Sequence, residues 1–353
     1  MDNFLASDIA EIADRLGPLN QELAGRTVMI TGSQGFLGRY FTQFLAHLNQ
    51  HVLERPCRLQ LLDNLVTAGQ AGEAIPDLPH AAFFNRDVSR LDDWTDPVDF
   101  VIHAAGIASP FYYRAYPLQT LEVAVSGTRN MLAIAEKNRA RMVFFSSSEI
   151  YGDPEPSQVP TQESYRGNVS CRGPRACYDE SKRVGETLCY IFHERFGTNV
   201  MTIRPFNVYG PGMQERDYRV LPNFASRIKA NKPLKLYGSG TQTRTFCYIT
   251  DAIVGFLQTL LRGVPGEAYN IGNPSPEVSM RDLVAAIERV LGRPVEHSFT
   301  DYPDSYPADE PMRRCPDIRK AELQLGYAPR VNLEDGLKRF LGWTERTFTG
   351  VVA

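Results

Sequence analysis

The sequence predicts an α/β fold in which a doubly wound parallel sheet is followed by a smaller C-terminal α/β lobe. Short apolar runs recur along the first part of the chain, and helical patterns lie between most of them. The runs end in polar residues, such as Asp63 after the second run and Ser147 after the fifth. Ligands of such sheets bind beyond the carboxyl ends of the strands, so these residues predict a binding site at that edge.

The elements are predicted in chain order, beginning with an amphipathic helix at residues 4–16 that packs on the outside of the first lobe. The predicted strands cover residues 26–30, 59–62, 82–85, 100–102, 142–145 and 200–203. After about residue 208 the pattern loosens at clusters of Pro and Gly, which indicates a second lobe. The predicted domains are an N-terminal helical extension (1–24), a first domain (25–207, with 250–272 returning to it) and a second lobe (208–249 and 273–345).

Composition argues against several classes of partner. The formal net charge is −3, which gives no reason to expect nucleic acid or a membrane surface. No apolar run approaches the roughly 20 residues that span a bilayer, and the N-terminus lacks the basic start of a secretion signal. The six cysteines are scattered without a CxxC pair, so we expect neither a disulfide framework nor a metal site. A cytoplasmic location is therefore predicted.

A glycine-rich turn follows the first predicted strand and opens a helix. Gly32, Gly35 and Gly38 have the spacing GxxGxxG, which differs from the GxGxxG of the general dinucleotide fingerprint. Such a turn lets the backbone approach a pyrophosphate at the positive end of the helix. Many glycine triplets are plain turns, but the position between strand and helix favours a Rossmann-like dinucleotide site.

The residues after the second and third strands indicate which dinucleotide binds. The carboxylate of Asp63 can accept hydrogen bonds from both ribose hydroxyls and would repel a 2′-phosphate, so NAD is favoured over NADP. The alternative is an Asp that only shapes a turn. Asp87 and Val88 are predicted to flank the adenine, as an acceptor for its amino group and an apolar wall.

Tyr178 and Lys182 form a YxxxK pair that lies on one face of a helix. A phenol has a pKa of roughly 10, and a neighbouring ammonium and an oxidised nicotinamide both favour phenolate. Tyr178 could then accept the proton of a sugar hydroxyl, with Ser147 hydrogen-bonded to the same hydroxyl. Tyr178 alone would more simply be a helix residue, but Ser147 and the glycine turn together favour catalysis.

Together these residues resemble the extended short-chain dehydrogenase/reductases, the NAD-dependent epimerase/dehydratase family. The resemblance covers residues 25–343. Within the family the chain is most similar to the UDP-glucuronate decarboxylases, which form UDP-xylose, through the stretches 146–154, 173–183 and 237–244. The stretch 173–183, GPRACYDESKR, discriminates best, because other branches carry different residues around the Tyr and Lys.

The resemblance implies a redox-neutral cycle in which the C4 hydroxyl is oxidised, the C6 carboxylate leaves as carbon dioxide, and the ketone is reduced again. It implies that Lys182 holds the nicotinamide ribose, that Glu149 and Ser148 face the C5–C6 end of the sugar, and that Arg314 lies near the sugar and phosphates. Its other implied cofactor contacts are Gln34, Phe36, Leu37, Asn64, His103, Ala104, Ala105 and Pro205. Its other implied nucleotide-sugar contacts are Ser109, Tyr113, Asn207, Arg219, Tyr237 and Arg244. A homodimer through the helices at about 118–138 and 178–195 is implied as well.

The chain departs from the family in places, and other functions remain open. Ser147 stands where decarboxylases more often have threonine, and residues 217–220 read Asp-Tyr-Arg-Val where the family has Asp-Gly-Arg-Val. The run at 103–110 differs in part, and residues 1–20 match no part of the family. The alternatives are a 4,6-dehydratase, which carries Asp-Glu in place of Ser148-Glu149, a 4-epimerase, or a catalytically silent NAD-binding protein.

Overall fold

The computed structural model describes residues 3–68, 77–301 and 311–351. The predicted domains also include residues 1–2, 69–76 and 302–310, which lie outside the described residues. Within the described residues, fourteen strands, β1 to β14 in chain order, occupy Thr27–Thr31, Arg58–Asp63, Ala81–Asn85, Phe100–His103, Arg141–Phe145, Val200–Pro205, Val208–Tyr209, Leu234–Tyr237, Thr243–Arg244, Cys247–Tyr248, Ala268–Ile271, Val278–Ser279, His297–Thr300 and Arg313–Arg314. The six predicted strands agree with β1 to β6 to within two residues at each end.

Eleven α-helices, α1 to α11, accompany these strands in the described part of the chain. They occupy Asn3–Leu16, Phe36–His51, Pro110–Ala115, Pro117–Glu122, Thr128–Asn138, Ala176–Phe196, Val220–Lys229, Ile249–Arg262, Met280–Leu291, Arg319–Leu325 and Leu333–Thr347. A π-helical turn, Val123–Gly127, joins α4 to α5. Short 3₁₀ turns occupy Gly17–Leu23, Val88–Arg90, Ser148–Tyr151 and Pro156–Gln158.

Seven strands form one parallel sheet in the order β11-β6-β5-β4-β1-β2-β3. The order reverses at β1, which is the position where doubly wound sheets bind ligands beyond their strand ends. The predicted fold class, a Rossmann-like sheet with a smaller C-terminal α/β lobe, is confirmed. The C-terminal lobe holds three small sheets, which pair β10 with β7, β13 with β8, and β9 with both β12 and β14.

Two cores lie on opposite faces of the central sheet. Val28 and Ile30 belong to the core beneath α1, α2 and α8, whereas Met29 between them belongs to the core beneath α5 and α6. Successive strand residues point to opposite faces, so one five-residue apolar strand supplies both cores. β11 joins the first sheet beside β6 although it follows the second lobe's first strands in the chain.

The N-terminal helix α1 packs against α2 and α8. Its Asp8 is buried and accepts hydrogen bonds from the hydroxyls of Tyr40, at 3.0 Å, and Tyr248, at 2.9 Å. Arg15 on the same helix pairs with the buried Asp251 of α8 at 2.7 Å. These contacts tie the N-terminal segment to both lobes through buried polar groups.

Candidate active site

A cavity of about 550 Å³ opens at the carboxyl edge of the central sheet, between the two lobes. A smaller cavity lies beside it, beyond β2 and β3. The predicted residues that line the larger cavity are Gly32, Gly35, Phe36, Leu37, Gly38, Ala104, Tyr113, Ser147, Ser148, Glu149, Tyr178, Lys182, Pro205, Asn207, Arg219, Tyr237, Arg244 and Arg314. Those lining the smaller one include Asp63, Asn64, Asp87, Val88 and Ala105. Strand ends far apart in sequence thus meet at one edge, as the pattern of polar residues predicts.

The glycine turn is closely packed against the backbone. Gly32 has φ +68°, and a Cβ there would lie 2.8 Å from Cα of Ala105. A Cβ at Gly38 would collide with the carbonyl oxygen of Gly32. Gly38 lies in the first turn of α2, so its lack of a side chain lets the helix N-terminus approach the turn. This is the cradle that a pyrophosphate requires.

Asp63 ends β2 beside this turn. Its carboxylate accepts hydrogen bonds from the backbone N–H of Gln34, at 2.9 Å, and of Leu65, at 2.8 Å. Burial raises the pKa of Asp63, although these N–H groups oppose the shift. Asp87 caps the 3₁₀ turn after β3 and accepts hydrogen bonds from Ser89. Asp63 therefore orders the turn and also lines the smaller cavity.

Three predicted contact residues do not line either cavity. His103 is buried, and its ring nitrogens lie 2.7 Å from the hydroxyl of Thr31 and 3.1 Å from that of Thr128. The side-chain amide of Gln34 donates a hydrogen bond to the hydroxyl of Ser33 at 3.3 Å. The hydroxyl of Ser109 is buried at the start of α3. His103 supports the strand ends because its side chain points into the layer between β1 and α5.

Tyr178 and Lys182 lie on α6 inside the larger cavity, and both are buried. Burial is the largest of the effects that raise the pKa of Tyr178 to about 12, and a hydrogen bond with Ser147 opposes the shift. Burial lowers the pKa of Lys182 to about 8, and its ammonium donates to the carbonyl of Phe145 at 2.8 Å. The Tyr178 ring stacks on Tyr113 with centroids 5.3 Å apart. Burial and the charges of Glu149 and Asp179 therefore favour the neutral phenol in the protein itself.

Glu149 lies opposite, in the 3₁₀ turn that follows β5. Its Oε2 accepts hydrogen bonds from Arg314, at 2.6 Å, and from Arg175. Burial acts to raise the pKa of Glu149, but Arg314, Arg175 and Arg244 together outweigh it and lower the pKa. Glu149 is thus held as a carboxylate although it is enclosed.

Arg175 is a site residue that the sequence reasoning missed. It lies directly before α6, one turn ahead of Tyr178, and its Nε is 3.5 Å from the carboxylate of Asp179. Both side chains are about nine-tenths buried. The spacing Arg175-x-x-x-Asp179 at the start of the helix was a visible signal for an ion pair.

The remaining predicted substrate residues come mostly from the second lobe. Asn207 has φ +40°, and its amide donates to the carbonyl of Thr245 at 2.8 Å. Arg244 donates to the carbonyl of Thr243 at 2.8 Å, and Arg219 forms a bidentate pair with Asp217. Both arginines line the cavity, and guanidinium groups suit recognition of a diphosphate, although Arg219 is shared with Asp217.

The family model with the description NAD dependent epimerase/dehydratase matches residues 28–272, which is more than half of the chain. The chain belongs to this family. The cofactor of the family is NAD, and the glycine cradle and Asp63 fit it. The predicted family is therefore confirmed.

Known members of the NAD-dependent epimerase/dehydratase family are similar over most of the chain. UDP-glucuronic acid decarboxylase 1 of Xenopus tropicalis is 39% identical over 89% of this chain and 71% of its own. UDP-glucuronic acid decarboxylase 6 of Arabidopsis thaliana is 36% identical over 88% of this chain and 86% of its own.

Solved structures of the family share the fold. The dTDP-glucose 4,6-dehydratase of Streptomyces venezuelae, with NAD bound, superposes with a TM-score of 0.77 at 27% identity, covering 90% of this chain and 96% of its own. The UDP-glucuronic acid 4-epimerase of Bacillus cereus, with UDP-glucuronic acid and NAD, has a TM-score of 0.72 at 25% identity, covering 91% and 100%. Solved structures with two different activities therefore share this fold, so the site must decide the activity.

The described residues contain no group of three or more His, Cys, Asp or Glu side chains placed to hold a metal ion. Within the same residues, no helix is both long and apolar enough to cross a bilayer.

Proposed function

We propose that this protein is a UDP-glucuronate decarboxylase, which converts UDP-glucuronate to UDP-xylose and carbon dioxide. The observation that carries the proposal is the pair Ser148-Glu149, with Glu149 held between Arg175 and Arg314 at the cavity wall facing Tyr178. A carboxylate neutralised by two arginines is a poor acid, and a serine is poorer still. This wall suits loss of carbon dioxide better than protonation of a departing C6 hydroxyl, which a dehydratase needs. The similarity to decarboxylases of animals and plants supports the same choice.

Each residue of the cavity is assigned a role from its position. The glycine cradle and Asp63 would hold NAD, which would supply the hydride chemistry at C4. Tyr178 takes the C4 hydroxyl proton and Ser147 orients that hydroxyl, while Lys182 holds the nicotinamide ribose. Because the protein alone raises the pKa of Tyr178 to about 12, the positive nicotinamide ring is the charge that must favour phenolate during oxidation.

The net charge of the cavity wall near C6 suits a carboxylate that must leave as carbon dioxide. A ketone β to a carboxylate accepts the electron pair that decarboxylation releases. A strongly cationic pocket would bind the substrate carboxylate firmly and slow its loss. Glu149 offsets the arginines around it, so the carboxylate meets a polar surface of little net charge. Arg244, Arg219 and Asn207 are assigned to binding of the diphosphate.

A panel of nucleotide-sugars tests the proposal. The NAD-loaded protein is incubated with UDP-, dTDP-, GDP- and CDP-sugars, and the products are identified by mass. We expect UDP-glucuronate alone to be consumed, with loss of the mass of carbon dioxide. Conversion without a change in mass identifies a 4-epimerase, and loss of water identifies a dehydratase.

The proposal includes a homodimer. Helices α5 and α6 pack side by side, and several apolar side chains on the surface of this region are exposed: Val125, Val184, Tyr190, Ile191 and Phe196. Two copies of such a pair would bury these side chains in a four-helix interface. We expect a dimer by sedimentation at micromolar concentration, and Ile191→Glu to shift it to monomer. A wild-type monomer would contradict this.

A cytoplasmic location is also proposed. All six cysteines are free thiols in the structure, and four of them are buried. This fits a reducing compartment. Cell fractionation that found the protein in an oxidising compartment would contradict it.

A further inference from the structure

Four charged side chains form one cluster at the sugar end of the cavity. Arg175 lies between the carboxylates of Glu149 and Asp179, and Arg314 contacts Glu149 from the second lobe at 2.6 Å. The exposed fraction of each side chain is between 8% and 17%. Within this cluster two carboxylates face two guanidinium groups, and Arg244, which also acts on Glu149, adds a third guanidinium group nearby.

The two carboxylates are held very differently. Glu149 accepts hydrogen bonds from both arginines, and these arginines lower its pKa although burial opposes them. Among the described residues, the ion-pair partner of Asp179 is the Nε of Arg175, at 3.5 Å, and its buried Oδ1 has no hydrogen-bond partner. Glu149, Arg175 and Arg314 are the described charged groups that act on it, and the titratable Cys177 and Tyr178 lie beside it on α6. Burial, and next the charge of Glu149, raise the pKa of Asp179 to about 7, against the opposing effect of the arginines.

Binding of a carboxylate substrate changes the net charge of this cluster. The C6 carboxylate of the proposed substrate would add a third negative charge beside two arginines that are already shared. Excess charge in an enclosed site is relieved by protonating the group whose charged form is least stabilised. That group is Asp179, since Glu149 is held by two guanidinium groups.

We propose that Asp179 takes up a proton from solvent when a carboxylate-bearing nucleotide-sugar binds, which offsets the negative charge that the ligand adds to the buried cluster. The inference rests on the proposed substrate. No electrons move, and one carboxylate oxygen of Asp179 gains the proton. Decarboxylation itself consumes one proton, because the C5–C6 bond is replaced by C5–H. Asp179 thus acts through Arg175 as a charge-compensating residue, and it does not touch the sugar.

Calorimetry measures this uptake directly. NAD-loaded protein carrying Tyr178→Phe, which blocks C4 oxidation, is titrated with UDP-glucuronate in buffers of different ionisation enthalpy. The dependence of the binding enthalpy on the buffer gives the number of protons taken up. At pH 7 we expect roughly half a proton per bound ligand, since a group with a pKa near 7 is then half protonated before binding. UDP-glucose, which shares the diphosphate but lacks the carboxylate, should give a value near zero.

Variants then assign the proton. Asp179→Asn in the same background should abolish the uptake, whereas Asp282→Asn, on the exposed face of α9, should leave it unchanged. The pH dependence of nucleotide-sugar affinity tests the same proton uptake without the Asp179 variant. Binding that takes up a proton must tighten as the pH falls from 8 to 7, for UDP-glucuronate and not for UDP-glucose.

The outcomes separate the inference from the proposed function. No uptake in the Tyr178→Phe protein despite tight binding of UDP-glucuronate would overturn the role of Asp179, as would undiminished uptake in folded Asp179→Asn. If the wild-type protein releases no carbon dioxide from UDP-glucuronate in a separate assay, the decarboxylase proposal itself fails.

Discussion

Replacing Glu149 by Gln keeps the shape of the side chain and removes one charge from the cluster. Arg175 and Arg314 would then face the cavity without their shared carboxylate. Arg175 keeps its contact with Asp179, so Arg314 is the group that loses its carboxylate partner among the described residues, and leaving one partner of a buried ion pair alone costs about 3–5 kcal/mol. The substrate carboxylate is the anion available to recover part of that energy, so UDP-glucuronate should bind more tightly to the variant.

The additional binding free energy of the substrate carboxylate is lost when the carboxylate becomes neutral carbon dioxide, so it adds to the barrier of decarboxylation. If about 3 kcal/mol is lost in this way, decarboxylation slows by roughly 100- to 200-fold. Oxidation at C4 depends on Tyr178 and Ser147, so NADH should still form and then accumulate.

The assay follows NADH absorbance and labelled carbon dioxide together from UDP-glucuronate. The matched control is Glu277→Gln, which disrupts the Arg313 pair outside the cavity and should change neither signal greatly. Equal loss of NADH and carbon dioxide in Glu149→Gln would refute the reasoning and place Glu149 in binding or in the redox step.

Three further predictions concern the cofactor, the acid/base residue and stability. Tyr178→Phe should abolish turnover while NAD affinity stays within a few-fold of wild type, and near wild-type turnover would remove Tyr178 from the mechanism. Wild-type protein should bind NAD at least about tenfold more tightly than NADP, and Asp63→Ser should narrow that ratio; tighter NADP binding by the wild type would contradict the role of Asp63. Burial lowers the pKa of His103 to about 3, below the roughly 6.5 of an unfolded chain, so the unfolded state binds the extra proton and stability falls as the pH drops below about 6.5. Denaturant unfolding at pH 7 and pH 5 should show a smaller fall for His103→Gln, and an identical fall would exclude His103 as a cause.

The fold was predictable because local sequence already carried its pattern. Each strand of the sheet is a short apolar run that ends in polar residues, and parallel strands place those ends together. The glycine turn and the YxxxK helix were recognisable for the same reason, since each depends on residues a few positions apart.

What the sequence did not reveal depends on distant contacts. Arg175 matters because Glu149 and Asp179 lie on either side of it, and Glu149 is 26 positions away in the chain. His103 follows an apolar strand as a binding residue would, yet its ring lies between Thr31 and Thr128 beneath the cavity. The raised pKa of Tyr178 likewise reflects burial among side chains distant in the chain, such as Tyr113, which no local pattern records.

The central claim is that the site catalyses a redox-neutral decarboxylation, and product stoichiometry tests it most directly. UDP-glucuronate labelled at C6 is given to the wild-type protein with NAD far below the substrate concentration. The account predicts one labelled carbon dioxide and one UDP-xylose for each UDP-glucuronate consumed, with no net accumulation of NADH. Conversion to UDP-galacturonate with the label retained would contradict it and identify the protein as an epimerase.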